Sequence, residues 1–199
     1  MAEVLNCGQL SIGIIGGNCV DPIVGGIKPN VVLVNHSDID LAQTEIIDGI
    51  ITKLVLKASK TGYLAQMLPR TSTTTIALAK GAYANGWDQN LTLRILNLGP
   101  DVKKFVEDLS KAKVVAIVEN NYVNFNAATG KGNTVYEAYG FYTGLELNEG
   151  TRDSEDADTK GGYVVTLGCG ENTKEPTLPI SVFDTDLETT KAMIDSLVE

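Results

Sequence analysis

The stretch KVVAIVENNYVNFNAATGKGNTVYEAYGFYTGLELNEGTRDSEDADTKGGYVVTLGCGE, residues 113–171, decides the fold. Apolar runs at 114–118, 135–147 and 163–167 are rich in β-branched and aromatic residues, and segments rich in Gly, Asn and Asp separate them. The middle run alternates large apolar residues with small or polar ones, as a strand with one apolar face does. We therefore predict an antiparallel sheet that must be covered on one side.

Further strands are predicted on the N-terminal side of this stretch. The apolar runs indicate strands at 31–35, 73–79 and 91–97, and residues 46–58 read as one long strand with one wet face. A loop at 59–72 joins two of these strands, and compact domains rarely keep such a long loop without a use. The Asn85-Gly86 pair predicts a tight hairpin turn before the strand at 91–97.

Two helices complete the predicted fold. Pro100 and Asp101 are typical of a helix start, and a single apolar stripe follows at Val102, Phe105, Val106 and Leu109. Thr185 and Glu188 form a capping-box pattern before a C-terminal helix whose apolar face holds Leu187, Ile194, Leu197 and Val198. We expect both helices on one face of the sheet. The predicted class is mainly β (α+β), an antiparallel β-sandwich or barrel with a flanking helix and a C-terminal helix.

The chain divides into a Gly-rich N-terminal arm, residues 1–30, and a single β-sandwich domain, residues 31–199. Glycine and proline make a helix improbable in the arm, and a short strand at 10–15 is the simplest interpretation. Its apolar side chains need a covering surface, which is either this domain or a neighbouring copy. The residues concerned are Ile12, Ile14, Ile15 and Val20.

The composition and the net charge limit the classes of function that the protein could have. Hydrophobic residues make up 43% of the 199 and charged residues 21%, which is ordinary for a soluble globular protein. A net charge of −9 argues against a surface that grips nucleic acid. The three cysteines form no C-x-x-C pair, the N-terminus lacks a signal peptide's basic region, and no apolar run is long enough to cross a bilayer. We expect a soluble protein made in the cytoplasm, without membrane contact.

The motifs that could indicate nucleotide binding or metal binding do not have the residue spacing that these functions require. The glycines at 13, 16 and 17 are not followed by the helix that a dinucleotide site requires. The acidic residues Asp153, Glu155, Asp156 and Asp158 do not fit an EF-hand frame, and a solvated acidic hairpin loop is favoured over calcium binding. His36 is the only histidine and reads as a turn residue. We therefore predict no enzyme activity, no catalytic residues, no metal and no cofactor.

The order of elements from residue 47 onward resembles the tail tube proteins of long-tailed bacteriophages and the tube proteins of contractile injection systems. The resemblance rests on a long strand, the loop at 59–72, a returning strand, LTLRILN, the helix GPDVKKFVEDLSKAK, VVAIVEN, YEAYGFYTGLELNEG, an acidic hairpin loop and GGYVVTLGC. It covers about three quarters of the chain and includes no short diagnostic motif.

This resemblance implies a structural virion protein that assembles into stacked, typically hexameric rings through which a genome passes. The partners would be further copies of the chain, other tail or head–tail proteins and, transiently, DNA; the location would be the virion tail, after assembly in the host cytoplasm. The stacking contacts would be Tyr63, Leu64, Met67 and Leu68, with residues 1–30 as a connecting arm. A capsid decoration or head–tail connector protein, or less favourably a calcium-dependent binding protein, remains the alternative.

Overall fold

A computed structural model describes residues 25–81, 85–121 and 135–198. Within these ranges the chain forms a seven-stranded sheet, a four-stranded sheet, two α-helices and one short 3-10 helix at His36–Asp38. The helices are α1 (Pro100–Leu109) and α2 (Leu187–Asp195). The strands of the larger sheet are β1 (Ile27–Asn35), β2 (Glu45–Ile47), β3 (Ile50–Lys53), β4 (Tyr63–Gln66), β7 (Val114–Asn120), β8 (Tyr136–Tyr139) and β11 (Ile180–Val182). The smaller sheet holds β5 (Thr73–Lys80), β6 (Asn85–Ile95), β9 (Glu146–Arg152) and β10 (Tyr163–Gly168).

The strand order of the larger sheet is β2-β3-β11-β8-β7-β1-β4, and that of the smaller sheet is β5-β6-β10-β9. In the larger sheet neighbouring strands pair antiparallel, except β3 and β11, which are parallel. The smaller sheet is antiparallel throughout. The larger sheet ends at β2 and β4 and the smaller at β5 and β9, so four strands have a free outer edge in the described part of the chain.

Both faces of the larger sheet are buried at its centre. In β1, Val31 and Leu33 join one hydrophobic core while Val32 and Val34 join another, because successive side chains of a strand point to opposite faces. β7 divides its apolar residues in the same way. This explains why both segments are continuous runs of valine, leucine and isoleucine: a strand covered on two sides carries apolar residues at every position.

The first core lies between the two sheets and includes the apolar stripe of α1. It contains Leu33, Leu91, Leu93, Leu109, Ala116, Tyr139, Leu145, Val165 and Leu167, with Val102, Phe105 and Val106 packed against it. The second core lies on the opposite face of the larger sheet and includes Val34, Ile51, Val115, Ile117, Phe141, Val182, Ile194 and Leu197. Helix α2 therefore packs on the face opposite to α1, and the expectation that both helices cover one face is wrong.

The predicted fold class is confirmed: the described chain is mainly β, with two packed sheets and two helices and without a closed barrel. The strands expected at 31–35, 73–79 and 91–97 correspond to β1, β5 and β6, and the first helix is α1. β1 begins at Ile27, so the last four residues assigned to the N-terminal arm lie in a strand. The strand proposed at 10–15 lies outside the described residues.

The run at 135–147 is two strands in different sheets, not the single strand that was predicted. β8 ends at Tyr139 in the larger sheet and β9 begins at Glu146 in the smaller one. Between them the backbone takes left-handed values at Gly140, with φ of +70°, and at Gly144, with φ of +78°. Glycine adopts this region without a Cβ penalty, so the two glycines permit the change of direction.

The segment at 46–58 is likewise not one long strand. β2 and β3 form a hairpin whose turn is Asp48-Gly49, both with positive φ. That combination is the favoured two-residue hairpin turn. Residues beyond Lys53 leave the strand, and Leu54 turns into the second core.

Two local predictions shift by a few residues. Asn85 and Gly86 belong to β6 and pair with Lys80 and Ala79, so they are not the tip of the hairpin. The glycine serves close packing instead, since a Cβ there would lie 2.6 Å from the Cβ of Lys174. The N-cap of α2 is Asp186 rather than Thr185, and its carboxylate accepts the Thr189 N–H at 2.7 Å.

Candidate functional site

The predicted stacking residues lie on β4 and the segment that follows it. The segment at 59–72 is not a simple loop, because Tyr63–Gln66 pairs with β1. Tyr63 is 53% exposed, Leu64 51% and Leu68 53%, whereas Met67 is buried in the core between the sheets. Three of the four residues are therefore on the surface, and Met67 is not available to a partner in this arrangement.

The exposed residues of this group do not form a single face. Tyr63 pairs opposite Leu33 and Leu64 opposite Val32, so their side chains point to opposite sides of the larger sheet. Leu68 follows the strand and lines an open cleft of about 610 Å³ that also includes Arg94. The three exposed side chains therefore lie on different sides of the larger sheet, near its β4 edge.

The acidic residues 153–158 occupy the hairpin loop between β9 and β10, as the sequence suggests. Their carboxylates brace the loop itself: Asp153 accepts the Glu155 N–H and Asp156 accepts the Asp158 N–H, each at 2.9 Å. The Thr159 hydroxyl donates to Asp156 at 2.8 Å. Hydrogen bonds to the Asp156 carboxylate lower its pKa below the ordinary value. The bond from the Asp158 N–H has the largest effect, and the bond from the Thr159 side chain has the next largest. No group of three or more metal-binding side chains occurs in the described residues.

The N-terminal arm residues Ile12, Ile14, Ile15 and Val20 lie outside the described residues. His36 lies in the short 3-10 helix, where its Nε2 is 3.1 Å from the carbonyl oxygen of Tyr142.

Two buried polar side chains were not identified from the sequence. Glu175 is 1% exposed, and its carboxylate accepts the N–H groups of Tyr142 and Thr143 at 3.2 and 2.7 Å. Gln89 is also 1% exposed; its Oε1 accepts the Gly140 N–H at 2.9 Å and its Nε2 donates to the Thr177 carbonyl at 2.9 Å. Both hold the chain where it passes from β8 towards β9.

The longest free edge of the smaller sheet was also missed. β5 was predicted as a strand, but nothing in its sequence indicates that six of its eight residues are exposed. Ile76 and Leu78 are 41% and 47% exposed. They pair opposite Gln89 and Trp87, and Thr74 pairs opposite the fully buried Leu91. Ile76 and Leu78 therefore lie on the side of β5 that faces the core, but they form an exposed apolar strip beyond the part of β5 that the larger sheet covers.

Comparison with known proteins finds no relative of this chain. No protein-family model, no curated protein and no solved structure matches this chain. Among the helices of the described ranges, none has the length and apolar character needed to cross a bilayer.

Proposed function

We propose that this chain is a structural subunit that assembles with copies of itself into stacked rings, as the tail tube proteins that it resembles do. The observation that carries the proposal is the free edge of β5. This strand has eight residues, contains no proline, and carries a single charge, Lys80, at its end. Monomeric proteins usually protect such edges with charges, prolines or very short strands, because an open strand invites pairing with another chain.

The other edge of the same sheet supplies a partner for β5. β9 bears Glu146, Glu149 and Arg152, and five of its seven residues are exposed. In the antiparallel β9–β9 register that sets each Glu146 opposite an Arg152, the two Glu149 side chains still face each other, which is unfavourable. Pairing β9 with the nearly uncharged β5 of the next copy avoids that repulsion. A contact between two different edges is head-to-tail, and such contacts close into rings when the rotation permits.

Contacts between rings are proposed at the β4 edge, where Tyr63, Leu64 and Leu68 are exposed. Met67 is excluded from this role because its side chain is in the core. The net charge of −9 supports the passage of a genome, since a protein gains affinity for phosphate from cationic contacts. The hexameric number, the virion location and the tail or head–tail partners rest on the resemblance alone.

The test is electron microscopy of the purified chain in negative stain, together with sedimentation velocity over a hundredfold range of concentration. Rings or tubes are expected for the natural chain. The double substitution Ile76→Lys with Leu78→Lys places two like charges along the β5 edge, and we expect it to abolish the rings while leaving the circular dichroism spectrum unchanged.

The matched control is Leu41→Lys, because Leu41 is 64% exposed and lies in a turn rather than on a strand edge. Rings should persist in this variant. A natural chain that stays monomeric at every concentration would overturn the proposal. Binding to a capsid or portal without polymer formation would support the decoration or connector alternative instead.

A further inference from the structure

The backbone of β5 presents a defined set of hydrogen-bonding groups at its free edge. The Trp87 N–H donates to the Glu175 carbonyl at 2.8 Å, so the backbone groups of the odd-numbered β6 residues point away from β5. Because this direction alternates along a strand, Asp88 points towards β5 and forms a hydrogen-bonded pair with Ala77. The even-numbered residues of β5, among them Ile76, therefore point their N–H and C=O groups outward.

The outward groups of β9 follow from the same alternation. Leu93, an odd-numbered β6 residue, pairs with Val165, so the backbone groups of Val165 point towards β6. Those of the next residue, Thr166, point towards β9, where its partner is Glu149. The N–H and C=O groups of Gly150, the neighbour of Glu149, therefore point outward. Among the described residues no strand pairs with either edge.

The side chains at the two edges are complementary in shape. On the core-facing side of β5, Ile76 and Leu78 are 41% and 47% exposed. On β9, Gly150 pairs opposite the buried Val165 and leaves the core-facing side open. Among the described residues, a Cβ on Gly150 would meet only Leu147, at 3.7 Å. One edge thus carries an exposed apolar strip, and the other carries a gap beside a partly buried leucine.

The topology fixes the relative direction of the two edges. Neighbouring strands of the smaller sheet are antiparallel throughout, so its outer strands, β5 and β9, run in opposite directions. A rotation about an axis along the strands keeps these directions, and repeated rotation closes a ring. β9 of one copy then meets β5 of the next in an antiparallel pair, and the core-facing sides of both copies lie on the same side of the joint sheet.

We propose, on the basis of the assembly proposed above, that β9 of one copy pairs with β5 of the next in a single register that sets Gly150 opposite Ile76. The pairs on the core-facing side are then Arg152 with Thr74, Gly150 with Ile76 and, beyond the bulge in β9, Leu147 with Leu78. The Ile76 side chain fills the gap over Gly150. On the other face Glu149 lies opposite Ala77, so no like charges meet.

The neighbouring registers lose these contacts. A shift by one residue turns the outward backbone groups of one strand away from those of the other and moves its side chains to the opposite face. A shift by two residues in one direction sets Arg152 against Ile76. The same shift in the other direction sets Thr74 over Gly150 and leaves Leu78 beyond the start of β9.

Disulfide cross-linking between copies tests the register. Ala77 and Glu149 form a non-hydrogen-bonded pair in it, with Cα atoms about 4.5 Å apart, a distance that a disulfide spans. Within one copy the two edges are three strand spacings, about 14 Å, apart, so only different copies can be linked. We expect Ala77→Cys with Glu149→Cys, in a chain that also carries Cys7→Ser and Cys19→Ser, to form a ladder of covalent multimers under mild oxidation.

The matched controls combine Glu149→Cys with Thr75→Cys or with Ala79→Cys. These positions are shifted by two residues, which sets the Cα atoms about 8 Å apart, so no ladder is expected. A ladder from either control in place of Ala77→Cys, in protein that still forms rings, would overturn the register and leave the assembly standing. Cross-linking of the Ala77→Cys single variant would mean that two β5 edges meet, which contradicts both proposals, as does a chain with neither rings nor cross-links.

A change of side-chain size tests the contact itself. Gly150→Val should raise the concentration at which rings form by at least about tenfold, because valine occupies the place of the Ile76 side chain. Adding Ile76→Ala to this variant conserves the volume and should bring that concentration back to within about threefold of the natural value. Thr151→Val, on the other face of β9, is the matched control. Rings that form equally well with Gly150→Val alone would contradict the proposed pair.

Discussion

The Glu175 carboxylate binds Thr143 twice: Oε1 accepts the Thr143 backbone N–H at 2.7 Å and its hydroxyl at 2.8 Å. The other oxygen accepts the Tyr142 N–H at 3.2 Å. These groups lie in the turn that leads from β8 in one sheet to β9 in the other. A side chain that is almost fully buried therefore fixes the connection between the two layers of the fold.

Removing this carboxylate should destabilise the protein. Glu175→Ala leaves three part-buried donors without their acceptor, and a donor that is left unsatisfied in a buried site costs about 1–3 kcal/mol. We expect a loss of about 2–4 kcal/mol in the free energy of unfolding, measured by urea denaturation. Glu171→Ala is the control, since Glu171 is exposed in the preceding turn and its removal should change stability by less than about 0.5 kcal/mol. Equal effects of the two substitutions would contradict this role of Glu175.

The glycine at position 140 should be sensitive for a steric reason beyond its backbone angle. A Cβ on Gly140 would lie 2.5 Å from Cγ of Leu145 and 2.9 Å from the Leu145 backbone nitrogen. Gly140→Ala should therefore cost about 3 kcal/mol, from a left-handed backbone and an overpacked core together.

Gly49→Ala separates these two causes. Gly49 has a similar φ of +76°, but a Cβ there would meet nothing within 4 Å. We expect this substitution to cost only about 1 kcal/mol, from the backbone angle alone. Thermal unfolding of both variants gives the comparison, and a Gly49 variant as unstable as the Gly140 variant would show that the contact with Leu145 is unimportant.

The sequence predicts the elements whose signals are local. The apolar runs of β1 and β7, the stripe of α1 and the β9–β10 hairpin each carry a pattern within a few residues. The Asp48-Gly49 turn also had a local signal, but the isoleucines on either side made the segment resemble one continuous strand. Here the turn residues were the better guide.

The reversal after β8 could not be predicted in the same way. Its contacts to Gln89 and Glu175 span 51 and 32 residues, so no window around Gly140 contains them. The exposure of β5 is similar, because whether a strand is central or at an edge depends on which distant strands pair with it. Candidate surfaces for assembly are decided by such pairings, which is why Met67 was grouped with its exposed neighbours although its side chain is buried.

Protonation of Asp38 makes the stability of the fold depend on pH in the acid range. Asn35 donates to its carboxylate at 3.0 Å and Lys60 pairs with it at 3.2 Å, and these partners hold its pKa below the ordinary 3.8. Because the folded pKa is the lower one, the stabilisation is fully present above the unfolded pKa and is lost as the pH falls through the folded pKa.

We therefore expect Asp38→Asn to reduce the free energy of unfolding by about 1 kcal/mol at pH 7, since Lys60 is half exposed and the pair is partly screened. The difference from the natural protein should begin to shrink below about pH 4, where Asp38 of the unfolded chain takes up a proton, and it should disappear only below the lower pKa of the folded protein. Denaturation at pH 7, 5, 4 and 3 measures it. Asp158→Asn, an exposed residue outside this cluster, should show no such convergence, and a constant difference for Asp38→Asn down to pH 3 would contradict the explanation.

The start of α2 distinguishes the observed cap from the one that the sequence favours. The Asp186 carboxylate accepts the Thr189 N–H, and this hydrogen bond is the main cause that lowers the pKa of Asp186. An N-cap side chain satisfies a backbone donor that the helix itself leaves free. Asp186→Ala should therefore lower Tm by about 2–4 °C, whereas Thr185→Ala, which removes the residue of the predicted capping box, should leave Tm within about 1 °C. Asp186→Asn, which keeps an oxygen acceptor, should restore most of the loss. If Thr185→Ala is the more damaging substitution, the helix begins one residue earlier in solution and the capping box is correct.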